Sequence, residues 1–163
     1  MSGSPGVDGQ PAASTGAVHT RRTGSTAPSP APAWPADLVE MRLPADGAYL
    51  AVLRTATAGL AARLDFTLDD IEDLRIAVDE ACALLLDQAA PASELACRFT
   101  LATNSLEVHV SVPVRQARLP DRGSFGWAVL TALAGSVDAG TDPIPGRDPD
   151  RLWIRLTKVR TGQ

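Results

Sequence analysis

The chain has 163 residues and a net charge of −4, with 15 Lys and Arg against 19 Asp and Glu, and its isoelectric point near 5.1 gives no overall positive field to draw a phosphate backbone. Nucleic acid is therefore not an expected partner. No apolar run approaches the roughly 20 residues needed to span a bilayer, and the N-terminus lacks the apolar stretch of a signal peptide, so no membrane is expected and the cytoplasm is the expected location.

Residues 1–35 are built mainly from Ser, Gly, Pro, Ala and Thr, a composition that buries too little apolar surface to offset the entropy of ordering. They read as a disordered tail whose one charge cluster, Arg21-Arg22, is a solubilising pair. Residues 36–160 read as a single domain, and 161–163 as a flexible C-terminus. Within the domain, apolar and polar residues alternate from Val39 to Leu43 as in a half-buried strand that stops at Pro44. Asp46 then caps a helix from about Gly47 to Arg63, with Leu50, Leu53, Ala56, Thr57 and Leu60 at helical spacing.

Thr67 and Asp70 form a capping-box pattern at the start of a second helix that runs to about Gln88, ahead of Pro91. Its predicted buried stripe is Ile71, Leu74, Val78, Ala81 and Leu85. Its charged stripe is Glu72, Arg75 and Asp79, spaced for pairing along the helix. Two strands, about Glu94 to Leu101 and Leu106 to Val114, are joined at Thr103-Asn104-Ser105 into a hairpin. Ser124 caps a third helix reaching Ala134, and strands at Ser136 to Ala139 and Arg151 to Lys158 complete the domain. Cys82 and Cys97 fall within a helix and a strand and read as small buried hydrophobes. With only His19 and His109 beside them, no structural metal site is expected. His109 lies on the strand face opposite Val108 and Val110, a structural position. Blocks of strands and helices argue for an α+β fold, a two-layer α/β sandwich with helices on one face of a mostly antiparallel mixed sheet.

Three segments carry a family resemblance: Arg42-Leu43-Pro44-Ala45-Asp46, the helical run Asp73-Leu74-Arg75-Ile76-Ala77-Val78-Asp79-Glu80-Ala81-Cys82, and the Gly-Ser-Phe-Gly helix from Gly123 to Ala134. In this order the chain resembles the histidine kinase-like ATPase (GHKL) fold, and within it the RsbW/UsfX-type anti-sigma factors of actinobacteria. The resemblance implies a homodimeric protein that withholds a stress or sporulation sigma factor from RNA polymerase until an anti-anti-sigma protein releases it. Many members also phosphorylate a serine of that antagonist, using ATP and magnesium.

Carried over residue by residue, the acid that polarises the attacking hydroxyl is Glu80, read here as a vestigial general base. The Asn expected one turn later, a magnesium ligand, is replaced by Leu84, which has no lone pair to offer a hard cation. The Asp-x-Gly-x-Gly segment that reads adenine is replaced by Val110-Ser111-Val112-Pro113-Val114-Arg115. Gly123 and Gly126 are the candidate ATP-phosphate positions at the N-terminus of the third helix, where backbone N–H groups favour anions. The resemblance places a contact with sigma factor and antagonist at Arg54 on the first helix. Two functions stay open at this point: sequestration by binding alone, and an ATP-dependent serine kinase acting on the anti-anti-sigma protein. A free-standing ATPase-like module is a third, without the phosphoacceptor helix of a two-component kinase.

Overall fold

The computed structural model describes residues 37–146 and 150–161. The tail expected over 1–35, its Arg21-Arg22 pair, and the last two residues of the C-terminus lie outside the described residues.

Five strands and three helices follow in the order β1 (Asp37–Pro44), α1 (Leu50–Arg63), α2 (Leu68–Leu86), β2 (Glu94–Leu101), β3 (Ser105–Pro113), α3 (Phe125–Leu133), β4 (Ser136–Asp142) and β5 (Arg151–Val159). The strands form one sheet in the order β1-β2-β3-β5-β4. Every pairing is antiparallel, so the sheet expected as mostly antiparallel has no parallel pair among the described residues. The last strand to form in sequence is inserted between β3 and β4. That places β5 in the interior of the sheet, where Leu152, Ile154 and Leu156 are fully buried and Trp153 points to the other face.

Local rules set most of the boundaries. Asp46 accepts a hydrogen bond from the Ala48 amide at 2.9 Å, but what it caps is a short 3-10 turn, Gly47–Tyr49, and the α-helix proper begins at Leu50. Thr67 Oγ1 accepts from the Asp70 amide at 3.2 Å and donates to Asp70 Oδ2 at 2.9 Å, which is the expected capping box with Asp in the role of Glu. Asp69 and Asp70 also lie in the first turn, where carboxylates complement the helix dipole. Asp65 closes α1 in the left-handed region at φ 57°, a conformation that Asp tolerates better than most residues.

The core lies between the helical layer and one face of the sheet. From the sheet come Leu95, Cys97, Phe99 and Leu101, Leu106, Val108, Val110 and Val112, and the three buried β5 residues. From α1 come Leu53, Thr57 and Ala61, and α2 adds Leu74, Ala77, Val78, Ala81, Cys82 and Leu85. The buried stripe of α2 is thus wider than expected, because the helix packs against α1, α3 and the sheet together. Buried Thr57 satisfies its hydroxyl on the Leu53 carbonyl at 2.8 Å. Both cysteines are free and buried, as expected. His109 lies off the core face with its ring 5.4 Å from that of Trp153, and burial lowers its pKa, helped by Arg98. No helix among the described residues is long and apolar enough to cross a membrane.

Candidate functional site

Successive residues on a helix point about 100° apart, so the adjacent acids of α2 serve different neighbours. Asp79 turns toward α1, where its Oδ2 accepts from Arg54 Nη1 at 3.2 Å. Glu80 turns toward α3. The charged stripe predicted along α2 is therefore broken: Arg75 pairs with Glu72 at 2.6 Å, while Asp79 is drawn into the groove between the helices. Burial raises the Asp79 pKa, against the opposing pull of Arg54, and its Oδ1 is buried without a hydrogen-bond partner.

Glu80, Leu84 and Gly126 come together where α3 begins. A Cβ added at Gly126 would run into Glu80 Oε1 and would lie 3.4 Å from Leu84 Cδ2. Glycine at this position is thus a matter of close helix approach. The side chain of Leu84, one turn beyond the acid, lies beside Gly126 as well.

Gly123 lies just outside this contact. Its amide, a candidate phosphate donor, donates instead to Asp121 Oδ1 at 2.8 Å, and the Ser124 amide donates to the Asp121 carbonyl at 3.0 Å. Ser124 Oγ then accepts from the Trp127 amide at 3.2 Å and caps α3 as expected. An internal carboxylate thereby takes one of the N–H groups that a phosphate would need. Sequence reasoning missed Asp121, although an Asp two residues before a Gly is the signature of an Asx turn. It also missed Gln88, whose side-chain amide donates to the Arg118 carbonyl at 2.9 Å and accepts from the Arg118 amide at 3.0 Å. That paired contact pins the loop after β3 to the end of α2.

Among the described residues no three His, Cys, Asp or Glu side chains are grouped to hold a metal ion. Leu84, one turn beyond Glu80, offers no lone pair to a hard cation, and the Gly123 amide is held by Asp121. Arg54 lies apart from this region, on the other flank of α2, with its side chain 43% exposed.

A helical layer on one face of a five-stranded antiparallel sheet, with the acid of the central helix set against the start of the third, makes a two-layer α/β sandwich, consistent with the histidine kinase-like arrangement expected from the sequence. No family model matches the chain. Among curated proteins it is 41% identical over 103 residues to the serine-protein kinase RsbW of Bacillus cereus (strain AH820), an alignment covering 61% of this chain and 59% of the relative. The same figures hold for RsbW of Bacillus anthracis (strain CDC 684 / NRRL 3495). RsbW of Bacillus velezensis is 40% identical over 78 residues, 46% of this chain and 49% of that protein. The chain spans about three fifths of the length of the first of these relatives, and the resemblance to RsbW-type proteins read from its sequence is found again in them.

Proposed function

We propose that this chain is a cytoplasmic anti-sigma factor that sequesters an alternative sigma factor by stoichiometric binding, as a homodimer, and yields it to a competing anti-anti-sigma protein. The observation that carries the reading is the 41% identity to RsbW proteins, supported by an apolar Leu84 one turn beyond Glu80 and by the Asp121 carboxylate on the Gly123 amide. Binding is retained in this reading and phosphoryl transfer is not. Arg54 on α1 is the contact offered to the sigma factor, since Arg is enriched among residues that dominate interfaces.

Calorimetric titration of the sigma factor tests the reading. Arg54→Glu is expected to weaken binding at least tenfold, while Asp79→Asn, which removes the charge partner of Arg54 and leaves the guanidinium in place, retains it. Unchanged affinity in Arg54→Glu would remove this surface from the mechanism.

A second reading, a serine kinase acting on the antagonist, is favoured by the names of the relatives and by the acid Glu80. Titration with ATP and magnesium separates the two. No saturable heat is expected; saturable binding lost in Glu80→Gln would overturn the binding-only reading and return Gly123 and Gly126 to the role of candidate phosphate positions.

A further inference from the structure

Side chains alternate across a strand, so the residues between the buried positions of β2, β3 and β5 face away from the helices. Strand pairing sets them in rows across the sheet. One row runs Arg42, Ala96, Ser111, Trp153 and Gly140, from β1 at one edge to β4 at the other. Ala96 and Ser111 are small, and Trp153 lies against Gly140, where an added Cβ would run into its ring. A depression is left above Ala96 and Ser111, a cleft of about 380 Å³.

The rows on either side supply its walls. Arg98 and His109 are paired across β2 and β3, and Arg151 and Asp142 across β5 and β4, and all four line the cleft. Arg151 Nη1 donates to Ser111 Oγ at 3.2 Å, and Arg98 Nε donates to Glu40 Oε1 at 2.9 Å. A guanidinium carries five N–H groups, and these are the only hydrogen bonds the two make among the described residues.

Ser111 is 3% exposed. Its hydroxyl oxygen accepts from Arg151, while its own O–H has no acceptor among the described residues. A nearly buried hydroxyl with a proton to give, set beside two guanidinium forks, is a donor set for an oxyanion. Burial lowers the His109 pKa, helped by Arg98, so its neutral ring adds an N–H group and no charge. Arg42, which pairs with Glu94 at 3.7 Å, stands at the rim, and Glu40 and Asp142 also border the cleft. Three arginines against two carboxylates leave a small positive excess. That balance suits one compact anion, whereas an extended phosphate backbone would meet both acids.

We propose that this cleft binds a small oxyanion, a single carboxylate or phosphate group, on Arg98, Arg151 and the Ser111 hydroxyl. Its volume falls in the lower part of the range of about 300–1,000 Å³ for small-molecule pockets, so it takes a small metabolite that carries the group. The site lies on the face of the sheet away from α1, α2 and α3. It is therefore separate from Arg54 and Glu80, and it stands whether or not the chain binds a sigma factor.

The test is two-dimensional amide NMR spectroscopy of the full chain, titrated separately with inorganic phosphate and with succinate. Saturable shifts at the Arg98, Ser111 and Arg151 amides are expected with at least one of the two. A response to phosphate alone marks a phosphate ligand, and a response to succinate alone marks a carboxylate. Arg98→Gln/Arg151→Gln should weaken that binding about tenfold or more, since it removes both charged donors. If this double variant loses its folded circular-dichroism signal, Ala96→Leu, which fills the cleft and leaves every arginine in place, takes its role and should weaken binding by a similar factor. Shifts that grow linearly with anion concentration, or saturable shifts unchanged in the substituted chain, would mean an adventitious ion only and overturn the site. Shifts of the same amides with protein concentration, in the absence of either anion, would make this face an interface between copies of the chain and overturn it as well. So would a single-stranded oligonucleotide that binds there more tightly than phosphate or succinate.

Discussion

Asp79 and Glu80 are neighbours in sequence, yet one meets Arg54 on α1 and the other meets the backbone of Gly126 on α3. The exposed periodicity of α2 announced two acids, but which helix each would face depended on the packing of its flanks. The contact at Gly126 has a measurable consequence. Gly126→Ala places a methyl group against Glu80 Oε1, and the carboxylate must swing away because α3 cannot withdraw without losing the buried Trp127. A stability loss of about 1 kcal/mol is expected by chemical denaturation, since crowding in a packed contact costs typically 1–3 and a flexible side chain yields part of it. In Glu80→Ala the same substitution should be nearly neutral. Additive effects of the two changes would show that the residues do not touch.

At the scale of elements, α2 is the hub, bounded by α1, α3 and the sheet. Its first turn is tied to the C-terminal strand by Lys158, whose ammonium lies 3.1 Å from Asp70 Oδ1 and 3.2 Å from Asp73 Oδ2 and also donates to the Leu133 carbonyl at 2.9 Å. One side chain therefore joins β5, α2 and the end of α3. Burial by itself would lower the Lys158 pKa, but hydrogen bonds and charge from Asp70 and Asp73 outweigh it and raise the pKa above 10.5.

A raised lysine pKa means that the folded state holds the proton more tightly than the unfolded state. The stabilisation is complete below 10.5 and fades as pH climbs through the folded value. Lys158→Met should cost about 2–3 kcal/mol at neutral pH, because Asp70 is left as a mostly buried carboxylate without its cation. The gap between wild type and variant should be flat from pH 6 to 9 and narrow above the ordinary lysine value. A gap that widens with alkalinity would contradict the role given to this ammonium. The helix starts at Thr67 and Ser124 were legible beforehand because caps act over three residues. The Lys158 tie was not, since its acidic partners Asp70 and Asp73 lie 88 and 85 positions away.

Among the described residues a single core joins the helices to the sheet, and the two cysteines report on it. Burial pushes the Cys97 thiol up to about 12. Burial, then Cys97 and Asp79, push Cys82 up as well. Thiols this far from ionisation are poor nucleophiles, so alkylation of the native protein should be slow, with both sites reacting together at the rate of global opening. Rapid modification of either cysteine without loss of circular dichroism would mean that the core opens locally.

The sequence by itself determined the strands, the helices, the caps of α2 and α3, the α+β class and the resemblance to RsbW-type proteins. These follow from short-range sterics and from the periods of burial along a strand or a helix. Only the tertiary structure decided that Asp79 takes Arg54, that Gly126 abuts Glu80, that Asp121 takes the Gly123 amide and that Gln88 pins the loop after β3. The partners of Arg54 and Gln88 lie 25 and 30 positions away. Their pairing is set by how α1, α2, α3 and the sheet pack, which the local pattern of a chain does not encode. The Asp121 turn spans two residues, but the placement of the start of α3 against Glu80 was fixed by the same packing.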